Sequence, residues 1–254
     1  SGAGTLASSG VTTGTGGVFQ LTGVTNNVGV TLNNGGTLRG SGTSTQSGAV
    51  SLTGTGGTID TTASGDVFNI TNTVSDSAAQ TLTLAGVTAS TINLQGAVTV
   101  NTLAASATGQ NISMTGTGNS AGTTGTFSNT GTLTLGDAST DTFLFTGGLT
   151  ATAPSLTTIN GAVSTTNAAI SLGNTTTGAG ATVNAGSSTI AIDGGGAAVD
   201  LGTGTFTSTN AGTAIDIGDT TTLKLANLTA TAGAVNLGTA ANISGAVTQN
   251  LGTI

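Results

Sequence analysis

The chain contains no Cys, His, Trp or Tyr, and only two of its 254 residues are basic. Lack of cysteine excludes a disulfide scaffold and thiolate metal sites. Lack of histidine removes the side chain that most often acts as a general base or binds a metal. Arg39 and Lys224 are the only cations. Two cations cannot neutralise a phosphate backbone, so nucleic-acid binding is excluded as well.

Long apolar runs are also missing. A membrane helix needs about 20 consecutive, mostly apolar residues, whereas the runs here are as short as Phe143-Leu144-Phe145. We therefore expect no membrane insertion. The first residues show no basic segment followed by an apolar core. If the protein is exported, the sequence represents a mature piece or an internal fragment.

What the chain does contain is 44 Gly and many short runs in which apolar and polar residues alternate. This alternation is typical of a strand with one buried face. The runs end in Gly, Asn or Asp, which tolerate the positive φ of turns, and no stretch of helical periodicity interrupts them. An all-β fold is predicted. Representative runs are VGVTL at 28–32, QTLTLAG at 80–86, STINLQG at 90–96, STIAIDG at 188–194 and AVDLGTG at 198–204.

Among all-β folds, the sequence favours a solenoid over a sandwich or a barrel. The pattern persists from end to end, and few bulky residues are present to fill a broad core between two sheets. Some runs recur at one coil length, as from Ile170 to Ile190 and from Ile215 to Val235. We predict a right-handed single-stranded parallel β-helix of about 20 residues per coil and roughly 12 coils. Residues 1–254 would form one rod, with Thr and Asn ladders between coils.

Acidic residues are the first candidates for chemistry, because many β-helix enzymes cleave polysaccharides with paired carboxylates. The candidate pairs are Asp137 with Asp141, Asp193 with Asp200, and Asp216 with Asp219. Asp residues beside Gly or at strand ends more often bind local backbone in turns. The cationic and aromatic groups that hold a substrate are almost absent. We therefore predict no catalytic residue and no enzyme activity.

Calcium is the one cofactor that this composition allows, because it needs only oxygen ligands. Residues 56–62 and 192–200 share letters with the calcium-binding β-roll repeat but not its spacing. The weak candidates for calcium are Asp137, Asp141, Asp216 and Asp219. No other cofactor is expected.

Three further features have simple interpretations. Arg39 and Lys224 are expected to be solvated outward side chains that discourage edge pairing. The Asn-x-Ser/Thr triplets, for example at Asn69 and Asn111, are expected by chance in a chain so rich in Ser and Thr. Thr-x-Thr runs at 81–83 and 132–134 suggest an ice-binding face, although their intervals are irregular.

Residues 131–155 (GTLTLGDASTDTFLFTGGLTATAPS) and 159–175 (INGAVSTTNAAISLGNT) resemble the β-strand repeats of very large exported bacterial proteins. These are filamentous-haemagglutinin-like adhesins and autotransporter passenger regions. The resemblance covers essentially the whole chain, although no secretion domain is recognisable. It implies a right-handed parallel β-helix at the cell surface that serves as a stalk, fibre or adhesive rod, with no catalytic residue to carry over.

Neither end of the sequence shows the polar cap that a solenoid needs. We therefore expect a fragment or subunit of a longer fibre, continued either by neighbouring sequence or by head-to-tail stacking of subunits. The predicted function is a non-enzymatic structural or adhesive rod that is secreted or exposed at the cell surface. The alternative is a binding module that presents a flat Thr/Asn-rich face to a glycan or to ice.

Overall fold

The computed structural model describes residues 10–218, 222–230, 232–237 and 241–249. Every regular element in these residues is a β-strand, as the alternating pattern predicted. Within the same residues, no helix has the length and apolar character needed to cross a bilayer. In chain order the strands are β1 (Val11–Thr12), β2 (Val18–Thr22), β3 (Thr25–Asn26), β4 (Val30–Asn33), β5 (Gly36–Ser41), β6 (Thr43–Gln46), β7 (Val50–Thr53), β8 (Gly56–Thr61), β9 (Val67–Ile70), β10 (Val74–Asp76), β11 (Thr81–Ala85), β12 (Thr91–Leu94), β13 (Val98–Val100), β14 (Thr102–Ala105), β15 (Asn111–Met114), β16 (Asn119–Ala121), β17 (Gly125–Phe127), β18 (Thr132–Leu135), β19 (Thr142–Phe145), β20 (Leu149–Ala151), β21 (Leu156–Ile159), β22 (Ala162–Thr165), β23 (Ile170–Leu172), β24 (Thr175–Thr177), β25 (Thr182–Asn184), β26 (Ile190–Asp193), β27 (Ala198–Asp200), β28 (Thr205–Ser208), β29 (Thr213–Gly218), β30 (Thr222–Ala230), β31 (Ala234–Leu237) and β32 (Ala241–Gln249).

The strands form a three-sided β-solenoid, because each strand from β1 to β27 pairs in parallel with the third strand after it. Face 1 runs from β1 and β4 to β28, face 2 from β2 and β5 to β31, and face 3 from β3 and β6 to β27. The long strands β30 and β32 continue face 3 and face 1 together, so these two faces belong to one sheet. The predicted parallel solenoid is therefore present.

The coil length is slightly greater than predicted. Face 2 contains 11 strands in the described residues, which makes about ten turns with a spacing near 21 residues, where about 20 residues per coil and roughly 12 coils were predicted for residues 1–254. The predicted alignments of Ile170 with Ile190 and of Ile215 with Val235 are confirmed. Other turns are longer, since Thr58 pairs with Thr83, and corner loops take up the extra residues. The right-handed sense stays a prediction.

The core is a narrow tube filled by the inward residues of all three faces. On face 3, Phe68, Ile92, Ile112 and Leu133 lie one above another in register and are buried. Short aliphatic side chains suffice because opposite faces are close, which explains how a chain with so few aromatic residues fills its interior.

Buried polar side chains hold the corners between faces. The Gln80 Oε1 atom accepts hydrogen bonds from the Ser77 and Ala78 amides at 3.1 and 2.9 Å, and its Nε2 donates to Gly54 O of the preceding coil at 3.3 Å. Ser90 donates to Val87 O at 2.8 Å within its own loop and bonds the Thr61 hydroxyl of the preceding coil at 2.6 Å. Each corner is thus tied both to itself and to its neighbour.

Polar ladders between coils are present, as the Thr and Asn content predicted. Asn93 Nδ2 donates to Asn69 Oδ1 at 2.8 Å on the outside of face 3. Inside the same face, Asn26 Nδ2 donates to Gln46 Oε1 at 2.7 Å. These side-chain bonds join successive coils, as the backbone hydrogen bonds do, and they help to maintain the register.

Gly116 offers a test of how tightly the coils stack. A Cβ atom there would overlap the backbone carbonyl of Gly96 in the preceding coil, whereas a Cβ at Gly14 would meet nothing within 4 Å. We expect Gly116→Ala to lower the free energy of unfolding by about 1–3 kcal/mol, because a stacked backbone cannot move aside. Gly14→Ala should leave it within about 0.5 kcal/mol. Urea unfolding of both variants is the measurement, and equal stabilities would contradict tight stacking at this corner.

Candidate functional site

The structure separates most of the predicted acidic pairs. Asp137 and Asp141 lie in one turn between β18 and β19, whereas Asp193 ends β26 on face 2 and Asp200 ends β27 on face 3. Asp216 is an exposed residue of β29. Its proposed partner Asp219 lies outside the described residues.

Asp141 closes its turn from within. Its side chain is 3% exposed. Oδ2 accepts hydrogen bonds from the backbone amides of Asp137 and Ala138 at 3.0 and 3.1 Å, and Oδ1 accepts one from Thr117 Oγ1 of the preceding coil at 2.7 Å. The carboxylate therefore holds a loop and two coils together, and no oxygen of it is left without a protein donor.

Asp66 plays the same part at another corner, and the sequence analysis did not single it out. Its Oδ2 accepts from the amides of Thr62 and Ala63 at 3.0 and 2.7 Å, and its Oδ1 accepts from the amide of Gly42 in the preceding coil at 2.6 Å. In both turns the Asp stands four residues after the first amide that it binds and directly before a strand. That shared spacing is the signal that could have found Asp66.

Both carboxylates are held ionised. Burial raises the pKa of Asp141 and is the largest single effect, but the hydrogen bonds from Thr117, Asp137 and Ala138 together bring that pKa below its usual value. The pKa of Asp66 is also lowered, since the bonds from Gly42, Ala63 and Thr62 outweigh the effect of burial. A carboxylate that accepts several backbone amides favours its charged form.

Asp193 and Asp200 form short turns of the kind that the sequence predicted. Asp193 Oδ1 accepts from the Gly195 amide at 3.0 Å, and Asp200 Oδ1 accepts from the Gly202 amide at 2.9 Å. Both glycines have positive φ. These aspartates bind their own backbone and do not face each other across a cleft.

Of the candidate calcium ligands within the described residues, Asp137 and Asp141 share a turn, whereas Asp216 lies apart from them in β29. In the described part of the chain, no three acidic side chains gather at one place. At the turn of Asp137 and Asp141, a cation would have to compete with Thr117, Asp137 and Ala138 donors for the Asp141 oxygens. The turn is thus built around hydrogen-bond donors, which already serve the buried carboxylate.

Arg39 is more engaged than a solvated side chain. It lies on the outside of face 2, where Arg39 Nε and Nη2 donate to the Asp60 carboxylate of the next coil, the shortest contact being 2.6 Å. The two side chains are 33% and 13% exposed and the contact is bidentate, so the pair is better fixed than an isolated ion pair on the surface. Lys224 lies in β30, and its side chain is outside the described residues.

The most regular chemistry is on the outer surface. Outward residues of successive coils stand in register, and most are Ser, Thr or Asn, although their sequence intervals are uneven. The column on face 1 comprises Thr12, Thr31, Ser51, Ser75, Thr99, Ser120, Leu144, Ser164, Asn184, Thr207 and Thr229. The column on face 3 comprises Thr25, Thr45, Asn69, Asn93, Ser113, Thr134, Thr158, Thr176 and Asp200.

The two Thr-x-Thr runs noted in the sequence do not belong to one surface. Residues 81–83 lie in β11 on face 2, and residues 132–134 lie in β18 on face 3. On face 3, however, Thr132 and Thr134 continue an array that also holds Thr43 with Thr45 and Thr91 with Asn93. The array was hidden in the sequence because corner loops differ in length.

Comparison with protein-family profiles, with curated proteins and with solved structures gave no match to this chain.

Acid should weaken the fold through Asp66 and Asp141. Their pKa values are lowered in the folded chain, so their stabilising effect is complete above the unfolded value near 3.9 and is lost as the pH falls through the folded values. We expect the free energy of unfolding in urea to drop steadily below about pH 4.

Asp141→Asn provides the matched variant, and Asp216→Asn provides the exposed control. At pH 7 we expect Asp141→Asn to lower the free energy of unfolding by about 1–3 kcal/mol, because the side-chain amide of Asn cannot accept hydrogen bonds from all three donors. The control should stay within about 0.5 kcal/mol. The difference in the free energy of unfolding between Asp141→Asn and the unchanged chain should decrease in acid. A constant gap from neutral pH to pH 2 would show that the carboxylate charge has no part in closing the turn.

Proposed function

We propose that this chain is a segment of a non-enzymatic structural or adhesive rod that belongs to a bacterial extracellular fibre or surface filament. The likeness of residues 131–155 and 159–175 to the repeats of exported adhesins supports the extracellular location. The three-sided solenoid supports the mechanical part of the proposal.

The observation that carries the proposal is the unbroken pairing of coils. Parallel pairing connects β1 to β32 through every coil of the described residues, with no insertion of another type of structure. At about 4.8 Å per coil, ten turns make a rod about 50 Å long. A structure that lengthens by a constant step with each repeat is suited to spanning distance.

The chemical composition of the outer surface supports a structural role. The columns on face 1 and face 3 are mainly hydroxyl and amide groups. Arg39 is matched by Asp60, and the buried carboxylates of Asp66 and Asp141 serve their own turns. Such hydroxyl and amide groups keep flat strands hydrated, and among the described side chains the cation of Arg39 is already paired with Asp60.

Growth beyond one chain follows from the same geometry. The outermost coil of any solenoid presents strand edges whose backbone groups can pair with a further coil. That coil can come from continuation of the chain or from a second copy, and a second copy added head to tail produces an open filament. Calcium is not required for this assembly.

Electron microscopy of the purified chain over a range of concentrations tests the proposal. We expect rods of constant width whose length increases with concentration, because addition at an end does not change the width. Salt should favour growth by screening the net charge of −7. Compact monomers at the highest concentration in both low and high salt would count against head-to-tail assembly.

A second candidate function is a binding module, and the aligned columns favour it specifically. Face 3 presents two outward residues on each of several successive strands, including Thr43 with Thr45 and Thr132 with Thr134. The row of Thr45 and Thr134 repeats hydroxyl and amide groups at the strand spacing of about 4.8 Å, whereas Val67 and Leu156 interrupt the row of Thr43 and Thr132. A regular polar lattice of this kind could contact a glycan or ice.

Thermal hysteresis and a glycan array distinguish these partners from a purely structural rod. If face 3 binds ice, the intact chain should show hysteresis, Thr134→Lys combined with Thr158→Lys should abolish it, and the control Thr99→Lys on face 1 should retain it. If face 3 binds a glycan, the same pattern should appear on the array. No signal from the intact chain in either assay would eliminate the binding module.

A further inference from the structure

One edge of the solenoid, where face 2 turns into face 3, contains two buried polar atoms that no protein group satisfies. They are Thr157 Oγ1 and Asn129 Oδ1, and both side chains are 0% exposed. Asn129 lies in the corner between β17 and β18, and Thr157 lies in β21 of the next coil, after the corner of the same type. The two atoms therefore mark neighbouring levels of one edge of the tube.

Thr157 is an exception among the buried hydroxyls of the described residues. The others find a protein partner: Thr175 Oγ1 donates to Gly173 O at 2.9 Å, Thr165 Oγ1 to Ala168 O at 2.5 Å, and Ser208 Oγ to Ser188 O at 2.6 Å. A buried hydroxyl without a hydrogen bond costs about 1–3 kcal/mol. Since the chain elsewhere avoids that cost, Thr157 calls for a specific explanation.

Two inward side chains at this edge are smaller than their neighbours in the adjacent coils. In the inward column of face 3, Leu133 is followed in register by Thr157 and then by Thr175. Both threonine side chains have one heavy atom fewer than that of Leu133. On face 2, Ala151 occupies the inward position that Leu172 takes in the next coil. Ala151 and Thr157 flank the same corner of the same coil, with the buried Pro154 between them in the chain, and they contribute less side-chain volume than Leu172 and Leu133 do in the adjacent coils.

The neighbouring aromatic rings pack on each other. Phe127, in the coil before Ala151, meets Phe145 edge to face with ring centroids 6.2 Å apart. Asn129 Nδ2 donates to Gln110 O at 3.2 Å and to Thr132 O at 3.1 Å, which holds its amide in place and leaves Oδ1 to another donor.

We propose that this edge of the tube is a buried hydration site, in which ordered water molecules bind Thr157 Oγ1 and Asn129 Oδ1 at neighbouring levels of the coil stack. Water can donate to the Asn129 carbonyl oxygen and can either donate to or accept from the Thr157 hydroxyl. Buried water needs polar partners and room; the two unsatisfied atoms supply the partners, and the smaller side chains of Ala151 and Thr157 favour the room. The site belongs to the interior and does not depend on the proposed function of the rod.

A crystal structure of the full chain at about 1.5 Å resolution tests the proposal directly. Ordered water within about 2.5–3.2 Å of both atoms is the expected result. Absence of water from either atom would overturn it.

Thermal unfolding of two isosteric variants provides a second test in solution. If Thr157 binds water, Thr157→Val removes a hydrogen bond and should lower Tm by about 2–4 °C. Thr175→Val, which removes the bond to Gly173, is the matched control and should lower Tm by a similar amount. If Thr157 is dry, its hydroxyl is only a cost. An unchanged or higher Tm for Thr157→Val beside a lower Tm for Thr175→Val would therefore overturn the proposal.

Discussion

Parallel hydrogen bonding between successive coils is the interaction on which the rest of the structure depends. A single coil leaves its backbone donors and acceptors unpaired, and its few inward side chains cannot offset the entropy of ordering it. Stacking satisfies the backbone and closes the core in the same step. The register is therefore strict: Ile170 must lie on Ile190, because a shift by one residue would turn every inward side chain outward.

The corners make this stacking possible where coils differ in length. Asp66, Gln80, Ser90 and Asp141 each bind their own loop and also reach into the preceding coil. Extra residues are thus accommodated in loops without disturbing the strands on either side. The net effect is that strands stay aligned although the sequence period does not, and the polar groups that enter the interior bring their hydrogen-bond partners with them.

The register of the core determines how the outward side chains are aligned. When inward residues of successive strands align, the outward residues between them must align as well, so columns such as that of Thr99 and Ser120 are produced by the core register. Their composition is free to vary, as Leu144 within the column of face 1 shows. A rod function tolerates this freedom, whereas a binding function would require that the columns remain polar on one face. The two proposals therefore differ in whether the outward residues of these columns must remain polar.

Much of the architecture could be predicted from local pattern. Alternation of apolar and polar residues identified the strands, and the recurrence of Ile215 and Val235 identified the coil, because both depend on periods of a few residues or one turn. The turn role expected of Asp193 and Asp200 is also local, since each binds an amide two residues away. The number of coils, the pairing of Arg39 with Asp60 and the columns of face 3 were not readable in this way. The ion pair and the columns join residues about one turn apart, and the number of coils depends on the length of each turn. Only the lengths of the folded coils determine which residue lies above which.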